Sequence, residues 1–335
     1  MSISNDIFQS VAAENRLHRQ FRDLRDSPFH SEARLLINTL YQRMGLHGKD
    51  FIRKFQTDGF HSHLFEIACF AYLESGGFVP NRTYSSPDFL ASRDGFSLAI
   101  EVTTSNPSDD QSADISLRML ADLSEEEIAA KVNVEFPNRM ISILKKKVNR
   151  QYDKLPQCAG KPLVLMVAPF FEAGSIFYTD DALVDCLYGI QETTTGFFSL
   201  QSSKSVSAVL YCNAFTVPRF FRLATPLERS EEITAIREGM YYAVQSKTEP
   251  SVKEFRYRVG SQSAPRESWS EGVTLFLNPN ALIPISKEVL PSTSSFYIQD
   301  GYLVREVYGF HPVTSNMYVY ANDATMKMNI ERGIP

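Results

Sequence analysis

Two acids stand near the outer ends of the stretch "PDFLASRDGFSLAIEVTTSNP", residues 87 to 107: Asp88 and Glu101. The stretch reads as two strands joined at Asp94-Gly95, the strongest short-range hairpin signal a sequence offers. A two-residue turn there pairs Arg93 with Phe96, Ala91 with Leu98 and Phe89 with Ile100, and it sets Asp88 opposite Glu101. Opposed residues share a face with Cβ atoms ~5 Å apart, where like charges repel. Something positive is needed between the two carboxylates. Alternation puts Leu98, Ile100 and Val102 on one side of the second strand and Ala99, Glu101 and Thr103 on the other, so small groups flank Glu101. A slip of one residue in register would part the acids onto opposite faces.

A third acid is conspicuous for its surroundings. In "LFEIACFAYL" Glu66 is the one charged residue, with Cys69, Phe70 and Leu73 as its helical neighbours. A helix apolar nearly all round is buried on most sides, and a carboxylate there needs a cation, a donor or a proton. An arginine or a backbone amide would satisfy it. Taken with the opposed pair downstream, a metal is the better explanation, and an all-oxygen ligand set of Glu66, Asp88 and Glu101 favours Mg²⁺ or Mn²⁺ over zinc.

The elements that must position these acids can be read from periodicity. Residues 60 to 75, "FHSHLFEIACFAYLES", form a helix closed by Gly76-Gly77. "FVPNRTY" and the hairpin supply three short strands. A polar stretch, "SNPSDDQSAD", is followed by Ser124 with Glu127 three positions on, a capping-box signature. Pro137 suits the first turn of a long helix through "PNRMISILKKKVNRQYDKL". "KPLVLMVAPFF" and "SVSAVLYCN" read as strands buried on both faces, with a short helix in "TDDALVDCLYGI" between them. The predicted fold class is α/β, with helices covering a central sheet.

These residues and this element order resemble the PD-(D/E)xK nuclease superfamily, the restriction-endonuclease-like fold, over residues 60 to 213. The resemblance rests on Glu66 in the helix, Pro87-Asp88, and Glu101-Val102-Thr103 on the next strand. It implies a mixed central sheet flanked by helices, with a metal-dependent phosphodiester hydrolase site at Glu66, Asp88 and Glu101. DNA is implied as substrate more than RNA, in a defence or restriction role. It also leaves room for a homodimer, since many enzymes of this fold cut both strands as dimers, although no dimer face is identifiable.

One departure is plain: Thr103 stands where the family has lysine. Some branches place that cation on the following helix. There Ile141, Leu144, Val148, Tyr152 and Leu155 form the inward stripe, Lys147 and Gln151 share one edge of it, Lys145 borders the other and Lys146 points away. Lys147 is the candidate cation and Gln151 a supporting polar group. The alternative is a nuclease-fold module that has lost catalysis at Thr103 and binds nucleic acid or a protein partner.

The remainder of the chain sets limits. At 335 residues, length favours two domains at roughly 150 residues each. The reading divides the chain into an N-terminal helical region (1–57), a nuclease-like core (58–215) and an α+β extension (216–335) that recognises substrate or packs on the core. The net charge of −5 gives no global attraction to nucleic acid, so a local patch would have to hold it. Four scattered cysteines look like small buried hydrophobes of a reducing compartment. His61 and His63, two apart on a helix, point in different directions and argue against zinc. With neither signal peptide nor membrane span in view, a cytoplasmic protein is predicted. No Walker loop, dinucleotide fingerprint or nucleophile elbow is present.

Weaker signals lie outside the core. "ENRLHRQFRDLRDS" is an amphipathic helix ringed by arginines. "EFRYRV" alternates Arg256 and Arg258 with Phe255 and Tyr257, and "PRFFR" sets Arg219 and Arg222 beside two phenylalanines. Both read either as phosphate contacts with stacking groups or as half-buried strands. "NPNALIP" reads as a turn tied by Asn278 and Asn280.

Overall fold

The computed structural model describes residues 6–45, 48–106, 123–170, 177–191, 195–224, 233–244 and 250–321. Helices α1 (Arg19–Asp26), α2 (Ser31–Arg43), α3 (Lys49–Gln56) and α4 (Phe60–Ser75) come first, then strands β1 (Val79–Asn81), β2 (Phe89–Arg93) and β3 (Phe96–Ser105). Next are α5 (Glu125–Ala130), α6 (Phe136–Val148), β4 (Leu163–Pro169), α7 (Val184–Tyr188) and β5 (Val206–Tyr211). The chain closes with α8 (Val217–Ala224), β6 (Ile233–Val244), β7 (Pro250–Arg258), β8 (Thr274–Leu277), β9 (Ser294–Gln299), β10 (Tyr302–Val307) and β11 (His311–Ala321). The polar stretch at 107–122 lies outside the described residues.

Two compact units divide the chain. The first comprises residues 1–67, 215–268 and 312–335, and the second 68–214 and 269–311. The segment 269–311, read as part of an extension, instead adds three strands to the central sheet. Its pairing partner β5 lies some sixty residues upstream of β8, a separation that periodicity does not reveal.

The second unit holds a mixed sheet in the order β1-β2-β3-β4-β5-β8-β9-β10. β3, β4 and β5 run parallel, and every residue of β4 and β5 is buried, as continuous apolar runs require. α6 covers one face. Its Met140, Leu144 and Val148 share a core with Ala99 of β3 and with Leu163, Leu165 and Val167 of β4. The hairpin forms in the register read from the sequence, Phe89 opposite Ile100 and Arg93 opposite Phe96. Asp94 (φ 51°) and Gly95 (φ 79°) both adopt the left-handed backbone that a two-residue turn demands.

The N-terminal start of α5 carries the capping box of Ser124 and Glu127, and Pro137 lies in the first turn of α6. α6 ends earlier than its sequence suggests, at Val148 rather than near Leu155. Gln151 turns left-handed (φ 54°) and starts a short 3-10 turn that folds Tyr152 into the core.

In the first unit α1, α2 and α3 bury Phe21, Leu24, Ile37, Ile52 and Phe55. A second sheet, β11-β6-β7, belongs to the same unit. On β7 the predicted alternation holds, with Arg256 and Arg258 exposed and Phe255 and Tyr257 half-buried.

Candidate functional site

The site is built on the hairpin and on the last turn of α6. Asp88 immediately precedes β2, one step beyond the Phe89–Ile100 pair, so it stands across from Glu101. It is half-buried, and its Oδ2 accepts a hydrogen bond from the Val102 amide at 2.7 Å. Glu101, in the middle of β3, is 4% exposed. Both acids sit on the face that α6 covers, because Leu90 of β2 and Ala99 of β3 pack into the core beneath that helix.

The cation that the two acids call for comes from the helix. Lys147 Nζ donates to Glu101 Oε1 and, at 3.3 Å, to the Val102 carbonyl oxygen. It lies in the last turn of α6, where a positive charge also meets the negative end of the helix dipole. Thr103, two residues beyond Glu101 on the same face, is half-buried and brings a hydroxyl but no charge. Lys145 and Lys146 are exposed.

Two neighbours complete the arrangement. Arg150 NH1 stands 3.9 Å from Glu101 Oε1, beyond hydrogen-bond reach. The Tyr152 phenol, the carboxylate of Glu101 and that of Asp88 together push the Arg150 pKa up. The Tyr152 ring is 1% exposed. Its hydroxyl faces Glu101 and Arg150, yet no acceptor among the described residues meets it at hydrogen-bond geometry. Burial first, and then the Glu101 charge, raise its pKa far above the ordinary phenol value.

Two of the expected residues are more exposed than the sequence suggests. Glu66 is half-buried rather than nearly dry, because Ser62, His63 and Glu66 make a half-exposed stripe along the first turns of α4. Gln151 is exposed and accepts from Lys154 Nζ at 3.0 Å, so it does not support Lys147. Among the described residues no group of three or more His, Cys, Asp or Glu side chains is arranged to hold a metal ion. His61 packs against the rings of His18 and Phe60, and His63 bonds the Gly59 carbonyl.

"PRFFR" is corrected on both readings. It forms helix α8, and its arginines are buried: Arg222 Nε lies 2.8 Å from Glu267 Oε2, and Arg219 donates to the Ser268 carbonyl. Arg237 joins them, 3.3 Å from Glu267 Oε1, under the rings of Phe255 and Tyr257. Burial, then the charges of Arg237 and Arg219 set against Glu267, lower the Arg222 pKa to about 10. These guanidiniums hold the first unit together and do not face solvent.

Arg150 and Tyr152 are the two residues that sequence reasoning missed at the site. Tyr152 was legible only as a core position, and Arg150 only as another surface charge. Their placement depends on the left-handed step at Gln151, which no motif announces.

No family model matches the chain, no curated relative matches it, and no solved structure matches it.

Proposed function

We propose that the chain is a metal-dependent phosphodiester hydrolase acting on DNA, built on a restriction-endonuclease-like version of its mixed sheet. One observation carries the reading. Lys147 of α6 sits on Glu101 beside Asp88, which supplies from the helix the cation that Thr103 cannot supply from the strand. A buried carboxylate facing a half-buried one, with a lysine at their edge, is costly to fold and has a clear chemical use.

The donors fit Mg²⁺ or Mn²⁺. Both are hard oxygens, and Mg²⁺ is commonly bound through one or two carboxylates plus substrate phosphates, retaining several waters. Asp88 and Glu101 would hold the ion. When bound, it supplies Lewis acidity to a phosphodiester oxygen and lowers the pKa of a bound water. The Val102 amide fixes the Asp88 carboxylate on the sheet. Lys147 keeps a positive charge where negative charge develops on the transferring phosphate. The Thr103 hydroxyl can orient water, and the Tyr152 ring with Leu144 and Val148 closes the site from beneath.

Purified protein incubated with plasmid, linear DNA and RNA in Mg²⁺ or Mn²⁺ tests the reading, with Glu101→Ala in parallel. Cleavage by the wild type and none by the variant is the expected result; equal cleavage by both removes the assignment. A second reading is favoured by the Lys147 contact itself, since a lysine seated on Glu101 competes with a metal for the same oxygen. On that reading the module binds nucleic acid or a protein partner without cutting. Nucleic-acid binding without cleavage in Mg²⁺ or Mn²⁺, together with no Mn²⁺-dependent rise in melting temperature, selects it.

A further inference from the structure

The two cations beside Glu101 are held very differently. Lys147 is spent on the protein: its Nζ engages both the Glu101 carboxylate and the Val102 carbonyl, and its side chain is 15% exposed. Arg150, three residues on, has a side chain 64% exposed and stops 3.9 Å short of the same oxygen. An arginine this close to a buried carboxylate would ordinarily close into a two-pronged ion pair, the strongest arrangement open to it. Here Lys147 already occupies Oε1.

The backbone holds Arg150 in this half-engaged position. Its amide bonds the Lys147 carbonyl at 3.0 Å, the Gln151 amide bonds the Val148 carbonyl at 3.0 Å, and Gln151 then turns left-handed. The guanidinium is thus delivered to the edge of the site by a tight turn and not by a mobile loop. The Tyr152 phenol first, and then Glu101 and Asp88, act on its charge. A planar fork of five donors, held by its backbone and 64% exposed, suits the paired non-bridging oxygens of a phosphodiester.

We propose that Arg150 binds a backbone phosphate of the nucleic acid at this site, while Lys147 serves the carboxylates. The inference rests on the hydrolase reading for the identity of the substrate, and it assigns a residue that reading does not use. Because the contact is made equally before and during the reaction, its loss raises KM and leaves kcat within a few-fold.

The test measures binding of a fluorescein-labelled DNA duplex in Ca²⁺ over a salt series, for wild type, Arg150→Ala, Arg150→Lys and the control Lys146→Ala. Cleavage in Mg²⁺ is measured alongside. The expected result is about tenfold weaker binding for Arg150→Ala, with the salt slope reduced by about one, partial recovery in Arg150→Lys, and less than about twofold change for Lys146→Ala. Arg150→Ala binding within about twofold of Lys146→Ala overturns the proposal. If the wild type cuts DNA and Arg150→Ala cuts it with unchanged KM, Arg150 is removed and the hydrolase reading stands. If the wild type cuts nothing yet binding depends on Arg150, the phosphate contact stands and the hydrolase reading falls. A wild type that neither binds nor cuts removes both.

Discussion

Replacing Lys147 by Met leaves Glu101, 4% exposed, without its nearest cation. Breaking a buried pair from one side costs about 3–5 kcal/mol, most of it the penalty of the stranded charge. Two features reduce that figure here. The Lys147 side chain keeps 15% of its surface, and Arg150 remains 3.9 Å from the same oxygen. At that distance two unit charges attract by about 4 kcal/mol at an effective dielectric of 20 and about 1 in water, and Arg150, mostly exposed, lies toward the watery limit. The expected loss is therefore about 2–3 kcal/mol, or roughly 5–10 °C in melting temperature for a unit of this size.

Removing the stranded charge should restore stability. Glu101→Gln in the Lys147→Met background removes the stranded charge and should recover most of the lost stability, because deleting both partners is far cheaper than deleting one. Thr103→Lys in that background should also restore stability, since residue 103 shares the face of Glu101 and its lysine can reach the carboxylate. Scanning calorimetry of the four proteins decides the matter. A Lys147→Met protein melting within about 1 °C of wild type, or a double variant less stable than Lys147→Met, refutes the electrostatic account.

Burial, and then the neighbouring His18, press the His61 pKa down to about 3. The folded state thus holds His61 neutral while the unfolded chain protonates near pH 6.5, so stability falls as pH drops from about 6.5 toward 3. At pH 5 this single group accounts for up to about 2 kcal/mol, and His61→Phe should flatten the urea-measured pH dependence by about that amount. Tyr152→Phe deletes a buried hydroxyl without a hydrogen-bond partner among the described residues. The variant should be as stable as wild type or up to about 1 kcal/mol more so, and a clear loss in urea denaturation would show that the hydroxyl serves Glu101. Asn278 donates to the carbonyls of Ser203 (3.0 Å) and Val206 (2.7 Å) and accepts from the Asn280 amide (2.9 Å). Asn278→Ala should cost about 2–4 kcal/mol by thermal melting, because it strands buried backbone groups at the end of β5.

What could be read from the sequence was local chemistry. The Asp94-Gly95 turn fixes its own register, so the facing of Asp88 and Glu101 followed from one dipeptide. The limits of α4, the Ser124–Glu127 cap and the Asn278–Asn280 turn likewise depend on residues within a few positions of each other. What could not be read is long-range or conformational. β8 to β10 join the central sheet by pairing with a strand far back in the chain. The premature end of α6 follows from one left-handed residue, and with it went Gln151 as a supporting group and Arg150 as a neighbour. Glu66 looked dry because its apolar neighbours were counted and the polar residues one turn earlier were not. Arg219 and Arg222 read as phosphate contacts or as the polar side of a strand because their partner, Glu267, lies 45 residues beyond Arg222 and still further from Arg219.

A cation brought by a helix differs from one carried on the strand in what holds it still. A lysine at position 103 would be fixed to Glu101 by the strand they share. Lys147 is fixed only as well as α6 is docked, and α6 is docked by Met140, Leu144 and Val148 against Leu163, Leu165 and Val167. The hydrophobic core under the helix therefore sets the geometry of the charge pair. Leu144→Ala, three residues before Lys147 and 1% exposed, should cost about 2–5 kcal/mol and, on the proposed hydrolase reading, lower cleavage at temperatures where the protein is still folded. Leu24→Ala in α1, equally buried but in the other unit, should cost a similar amount with cleavage intact below its melting point. If the two variants, matched for fraction folded, cut DNA at the same rate, then Lys147 does not depend on helix docking and the site is held in place by the hairpin alone.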